Sequence, residues 1–174
     1  MWIDLKQIRF VRIKNPDDAA ELLDLMKRAM MFYAQEAQLP LYRKDGTYYL
    51  SALNESRGDV IQAIKQEDFL AFQYHGSFIA SARLVTDYKE KKSLLTRFSV
   101  DPKLHRSNVS EFFLDTLITY ARNQGIDELY LYVAQENKRL MELLRSRNFL
   151  LYSVNSGRPY SKVCLIKTLR RGLP

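Results

Sequence analysis

Residues 93–123, SLLTRFSVDPKLHRSNVSEFFLDTLITYARN, run a strand pattern into a helix pattern through one turn, and few folds accommodate that junction. Leu94, Thr96, Phe98 and Val100 alternate with Leu95, Arg97 and Ser99, which predicts a strand with the two sets on opposite faces. Asp101-Pro102 ends it, because proline has no N–H for a ladder and holds the preceding residue extended. Val109, Phe112, Phe113, Leu117, Tyr120 and Ala121 then recur at spacings of three and four, the signature of a helix with one apolar face. Its start falls near His105–Ser110. First-turn N–H groups there lack intrahelical partners and the macrodipole is positive, so the corner can seat an anion. A second reading competes: Asn108 followed by Glu111 fits a capping box, in which the helix satisfies its own start.

The rest of the chain supplies strands and helices in a definite order. Gln7–Lys14 reads as a strand. Asn15-Pro16-Asp17-Asp18 is a helix start, with a capping residue, proline in the first turn and two acids facing the dipole. Leu22, Met26, Ala29, Met30 and Tyr33 carry that helix to about Glu36, and its methionine-rich face reads as core. Residues 39–53 form an irregular loop with Tyr42, Tyr48 and Tyr49, read as tyrosines packing locally. A second helix follows, using Val60, Ile61 and Ile64. Phe69–Tyr74 and Phe78–Val85 flank His75-Gly76 as a hairpin. Beyond the central corner come a Gly125 helix stop, a strand over Glu128–Ala134, a helix after Asn137, and strands at Leu150–Val154 and Lys162–Leu169. The order predicts an α/β mixed sheet with antiparallel hairpins and at least one parallel crossover, helices covering both faces, in a single domain over residues 1–174.

Composition excludes several classes. With 47% apolar and 27% charged residues the chain is globular, and it lacks the long apolar run of a membrane span. MWIDLKQIRF has no apolar signal core and the single cysteine, Cys164, sits in a strand pattern as packing, so a cytoplasmic location is expected. No Cys/His spacing suits a metal, and His75 lies at a solvent-facing turn. The net charge of +7 attracts anions, and Arg158, Lys162, Lys167, Arg170 and Arg171 give five positive charges after residue 157. Only Tyr160 accompanies them, so they read as a basic solvated edge rather than a nucleic-acid surface.

The central corner resembles that of the GNAT superfamily of N-acetyltransferases, in which a strand ending Val-Asp-Pro leads through Gln/Arg-Arg-x-Gly-x-Gly/Ala into a helix. Val100-Asp101-Pro102, Arg106 and Phe113-Leu114 match that pattern; His105, Asn108 and Ser110 depart from it. A second family pattern, Asn-x-x-Ala-x-x-Leu-Tyr-x-x-x-Gly-Phe, is met by Asn137, Leu143 and Phe149, with Leu144 in place of tyrosine and Asn148 in place of glycine. Asparagine holds the left-handed conformation of a helix stop, but leucine cannot protonate a leaving thiolate as the tyrosine does. The similarity spans roughly residues 69–169.

The resemblance implies an acyl-CoA N-acyltransferase fold and transfer of an acyl group, from acetyl-CoA or another acyl-CoA, to an amine by direct attack. It implies a cofactor site at Phe98, Ser99, Val100, His105, Arg106, Ser107, Asn108, Val109, Ser110 and Asn137, no metal, and a small-molecule or peptide amine as acceptor. It also makes Tyr42, Tyr48 and Tyr49 candidates for the acceptor pocket. A homodimer is compatible with the chain. No catalytic residue is assigned: the strand lacks the carboxylate many members carry there, and Glu136 and Asp87 are the nearest acids along the chain. The rival is a catalytically degenerate module of the same fold that binds an acyl-CoA or a protein partner without turnover.

Overall fold

The computed structural model describes residues 3–157 and 159–170. Its seven strands, β1 (Arg9–Arg12), β2 (Asp68–Tyr74), β3 (Ser77–Asp87), β4 (Lys92–Val100), β5 (Glu128–Ala134), β6 (Leu150–Asn155) and β7 (Lys162–Thr168), form one mixed sheet in the order β1-β2-β3-β4-β5-β7-β6. All neighbours are antiparallel except β4 and β5. Helices α1 (Ala19–Glu36) and α2 (Arg57–Gln66) cover one face, and α3 (Val109–Asn123) and α4 (Lys138–Ser146) the other. This is the element order and the parallel crossover that the sequence predicts.

Local chemistry explains each boundary. Asn15 accepts from the Asp17 N–H, opening a short turn that runs into α1. Ser56 and Asp59 form a reciprocal capping box on α2. Helix α3 ends in a Schellman motif: Gly125 takes φ +77° while the Ile126 N–H donates to the Ala121 carbonyl at 3.1 Å. Asn148 does the same for α4, at φ +62° with the Phe149 N–H on the Leu144 carbonyl. The larger core lies between the sheet and α3/α4. There Leu70, Phe72, Ala80, Leu84 and Leu95 pack against Val109, Phe113 and Leu117. Phe72 and Phe113 are both fully buried with ring centroids 4.7 Å apart, so truncating either to alanine costs about 3–5 kcal/mol.

Strand β4 corrects the simple alternation expected for it. Ser81 pairs with Ser99 and Arg83 with Thr96, so two residues, Arg97 and Phe98, oppose Ala82 alone. Arg97 adopts φ +55°, the left-handed residue of a β-bulge. Leu95 and Phe98, three apart, therefore both pack on the α3/α4 side, while Ser99 is buried with its hydroxyl donating to the Arg97 carbonyl at 2.9 Å. A non-glycine residue here costs roughly 1–3 kcal/mol. Glu55 holds it in place: its carboxylate accepts from Arg97 Nε at 2.6 Å and from the buried Arg83 guanidinium at 2.6 Å.

The bulge has a consequence for the sheet. β4 and β5 pair only from Lys92–Leu95 to Glu128–Leu131 and then separate, although both strands continue. The Asp101 N–H donates to the Ile79 carbonyl at 2.9 Å. By the alternation of an antiparallel ladder Ala80 and Val100 are then a non-bonded pair. The N–H and C=O of Val100 thus face the gap. On the opposite wall, Leu169 and Gln135 donate across the β5–β7 ladder, which turns Ala134 toward the gap.

Candidate active site

A cavity of about 420 Å³ occupies this gap, inside the usual range for ligand pockets. Its lining comes from elements on both faces of the sheet. Ala29, Phe32, Tyr33 and Glu36 of α1 line it from one side. Ser110 and Glu111 of α3 with Asn137, Arg139, Leu140 and Leu143 line it from the other, and Phe98 and Val100 form the β4 wall.

The corner after β4 is a capped turn that runs into the start of α3. Asp101 caps the Pro102–Leu104 turn through the Lys103 N–H at 3.0 Å and is tied to α1 by Arg28 at 2.9 Å. Arg28 is also held by Asp24, one turn earlier on α1. The His105 ring packs on Phe32, with centroids 4.9 Å apart, and contacts the Pro102 carbonyl through Nδ1. Ser107 donates to the Leu104 carbonyl and accepts from the Val109 N–H. Among the described residues, the backbone N–H groups of Arg106, Asn108, Ser110 and Glu111 have no partner. Four unengaged donors at the start of a fifteen-residue helix give this corner a positive local potential.

The capping box at this helix does not form. Asn108 makes no side-chain cap bond, and the Glu111 carboxylate turns to Arg147 at 3.2 Å, where Asp115 also binds at 2.9 Å. The helix therefore leaves its own N-terminus open. Of the ten sequence-derived cofactor residues, Phe98, Val100, His105, Ser107, Ser110 and Asn137 line the cavity. Arg106 and Asn108 are exposed and offer backbone N–H groups, whereas Val109 and Ser99 are buried away from it. Asn137 uses its side-chain oxygen to cap α4 through the Leu140 N–H, and Arg139 donates to the His105 carbonyl, joining α4 to the corner across the cavity mouth.

Sequence reasoning missed the α1 contribution, because the helical spacing that brings Tyr33 to the gap is also the spacing of a core face. Tyr33 Oη accepts from the Ala134 N–H at 2.8 Å, taking the place that β4 vacates. Burial pushes its hydroxyl up to about 12, against the lowering effect of that hydrogen bond. It stays protonated at any physiological pH. Glu36 lies in the last turn of α1, which carries no basic residue, and makes no ion pair among the described residues. A carboxylate at the negative end of a helix is a site of local negative potential.

Other candidates fall elsewhere. Asp87 caps the β3–β4 turn at the far end of the hairpin, and Glu136 is exposed beside Asn137. Leu144 is fully buried in the core. Tyr42 and Tyr48 stack on each other at 4.9 Å on the loop, while Tyr49 packs toward Ala134 and Tyr160. The Tyr160 hydroxyl is buried without a partner among the described residues. Of the five late basic residues Arg158 and Arg171 lie outside the described residues. Lys162 sits over the Tyr160 ring, Lys167 donates to the Arg147 carbonyl and Arg170 pairs with Asp127, so these three are engaged singly. Among the described residues no group of three or more His, Cys, Asp or Glu could hold a metal, and no helix is long and apolar enough to cross a membrane.

A mixed sheet parted after a bulged strand, with an open helix N-terminus at the end of the parting, is the architecture of the acyl-CoA N-acyltransferases. The sequence profile of the acetyltransferase (GNAT) family matches residues 23–149. The chain belongs to that family, and with it to the N-acetyltransferases. Among solved structures it is similar to the PaiA N-acetyltransferase of Thermoplasma acidophilum in complex with coenzyme A, at 16% identity and TM-score 0.76, over 92% of this chain and 98% of that one. It is similar to a ribosomal-protein-alanine N-acetyltransferase of Escherichia coli at 16% identity and TM-score 0.68, over 95% and 96%. A chimera built on the spermidine N-acetyltransferase SpeG of Vibrio cholerae aligns at 13% identity and TM-score 0.72, over 94% and 96%. At such identities these likenesses establish the fold. No curated protein matches the chain by sequence.

Proposed function

We propose that the chain transfers an acyl group from acetyl-CoA, or a related acyl-CoA, to a primary amine that enters from the α1 side of the sheet. The observation that carries this reading is the cavity beside the gap, lined from both faces of the sheet, with free backbone donors at the α3 start and a phenol and a carboxylate on α1. The residues present fit the co-substrate. The N–H groups of Arg106, Asn108, Ser110 and Glu111 would hold the diphosphate, with the Arg106 charge nearby. The strand edge at Val100 and the side chain of Asn137 would hold the amide-bearing arm.

When bound, the acyl-CoA would supply a thioester carbon for direct attack by the amine, so that a C–N bond forms, the C–S bond breaks and the ammonium gives up two protons, one before attack and one afterwards that goes through water to the departing thiolate. Glu36 attracts the ammonium and accepts the first proton, directly or through water. Tyr33 donates a hydrogen bond to the sulfur as charge collects there. A phenol near 12 does not hand its proton outright to a thiolate whose conjugate acid lies near 8.5, so its contribution is electrostatic. Tyr33 thereby offers the leaving sulfur a hydrogen bond from α1, whereas Leu144 on α4 offers none. Thermal unfolding with and without acetyl-CoA, followed by thiol release over a panel of amines, tests the proposal. A raised midpoint with thiol release supports transfer. A raised midpoint with no release on any amine makes the chain a cofactor-binding module, and no shift at millimolar ligand overturns both.

A further inference from the structure

A carboxylate bridges β3 and β4 just where the sheet parts. Glu55 accepts from Arg83 Nη2 at 2.6 Å and Nη1 at 3.2 Å on β3, and from Arg97 Nε at 2.6 Å on β4. Its side chain and that of Arg83 are only 12% and 7% exposed. The support under Glu55 is firm. Its N–H donates to the Ala52 carbonyl at 3.3 Å, Ala52 and Leu53 are buried, and the next residue, Ser56, opens the capping box of α2. Arg83 is fixed as well, by its place opposite Thr96 in the ladder and by the Phe69 ring 5.0 Å from its guanidinium. Arg97 is the member held against its own preference, at φ +55°.

An extended Arg97 would carry β4 onward beside β5. The parallel pairs run from Lys92–Glu128 to Leu95–Leu131, and the same register continued would set Phe98 beside Ala134, displacing the Tyr33 hydroxyl from the Ala134 N–H. Both strands have the residues to do so, since β4 runs to Val100 and β5 to Ala134. The chain thus has two arrangements, one parted with Arg97 left-handed and one zipped with Arg97 extended. We propose that Glu55 is a positioning residue for acyl transfer: by gripping Arg97 it holds the parted arrangement and keeps the Val100 edge open to the amide-bearing arm of the acyl-CoA. This rests on the acyl-transfer reading. Glu55 does not line the cavity, so it acts through Arg97 and not by contact with the co-substrate. Arg83 anchors the carboxylate from the other side, which leaves the grip in place whichever way the Arg97 backbone turns. A co-substrate that binds only the parted form has its apparent dissociation constant raised in proportion as that form is depopulated.

Arg97→Ala and Arg97→Gly both remove the guanidinium and both leave the Glu55–Arg83 pair intact. They differ in that glycine takes a left-handed φ without penalty. Titration calorimetry of the whole chain with CoA is expected to show the alanine variant weakened about tenfold or more. The glycine variant is expected to stay within about threefold of wild type. Glu55→Gln is expected to weaken CoA binding about as much as Arg97→Ala, and adding Arg97→Gly to it should recover most of that loss. The thermal midpoint of the double variant should stay low, because Arg83 remains buried without its counter-charge. Recovery of binding without recovery of stability separates positioning from a merely structural role. Should Glu55→Gln fail to fold, the alanine and glycine variants of Arg97 decide the matter alone. A wild type that binds CoA while those two variants are weakened alike, or not at all, overturns the positioning role and leaves acyl transfer standing. A wild type that does not bind CoA at millimolar concentration overturns both.

Discussion

Ser110→Asp is the substitution that most sharply separates a seat for a diphosphate from an ordinary helix start. In the wild type four N–H groups, of Arg106, Asn108, Ser110 and Glu111, have no partner, and Ser110 faces the cavity. If a diphosphate takes two of them as charge-assisted hydrogen bonds, those contacts contribute roughly 3–6 kcal/mol. An aspartate carboxylate at position 110 accepts from the same donors and repels the ligand, so the dissociation constant should rise at least about 100-fold. At a CoA concentration near 100 times the wild-type dissociation constant, binding stabilises the wild type by about 2.7 kcal/mol. For a chain of this length that raises the unfolding midpoint by roughly 5–10 °C. In the variant the same concentration only matches the dissociation constant, leaving a shift of about 1 °C. The unliganded variant should be as stable as the wild type or more so by up to about 1 kcal/mol, since an acid in the first turn favours the helix. Differential scanning fluorimetry reads both quantities, and Ser110→Gly, which keeps every donor, should retain the full shift. A Ser110→Asp chain that keeps the wild-type shift would refute the placement of the phosphates.

Tyr33→Phe should leave the CoA-induced shift in place while lowering turnover by roughly 100-fold, measured as thiol release at saturating substrates. The same variant tests the environment of the phenol. Its folded value near 12 lies above the unfolded value near 10, so the unfolded chain loses its proton first and wild-type stability falls as pH rises through that interval. Removing the hydroxyl should abolish about 2–3 kcal/mol of that alkaline loss in urea melts. Glu36→Gln should raise KM for the amine about tenfold or more with the CoA shift unchanged; an unaltered KM would remove Glu36 from the acceptor path.

How much of this was legible in the sequence follows from how far each feature reaches along the chain. The corner at Asp101-Pro102, the helix stops at Gly125 and Asn148 and the hairpin at His75-Gly76 depend on neighbouring residues alone, and periodicity located them. The bulge at Arg97 did not show, because the left-handed conformation is held by Glu55, forty-two positions earlier, and nothing in TRFSV departs from a plain strand. Asn108 and Glu111 fit a capping box on paper, but Arg147 from the end of α4 draws the carboxylate away. Tyr33 and Glu36 belong to a helix whose spacing reads as core throughout; only the folded chain shows that its last turns overhang a break in the sheet. The exposure of β6 was hidden for a similar reason. An apolar strand looks alike in sequence whether it lies at the centre of a sheet or at its edge.

Amide hydrogen exchange of the chain with and without CoA tests the parted sheet most directly, because it reads the very donors assigned to the ligand. Slowed exchange at Val100 and at Arg106, Asn108, Ser110 and Glu111, with β1 and β2 unchanged, is the predicted result. Saturating CoA that leaves those amides exchanging as fast as before would contradict the account.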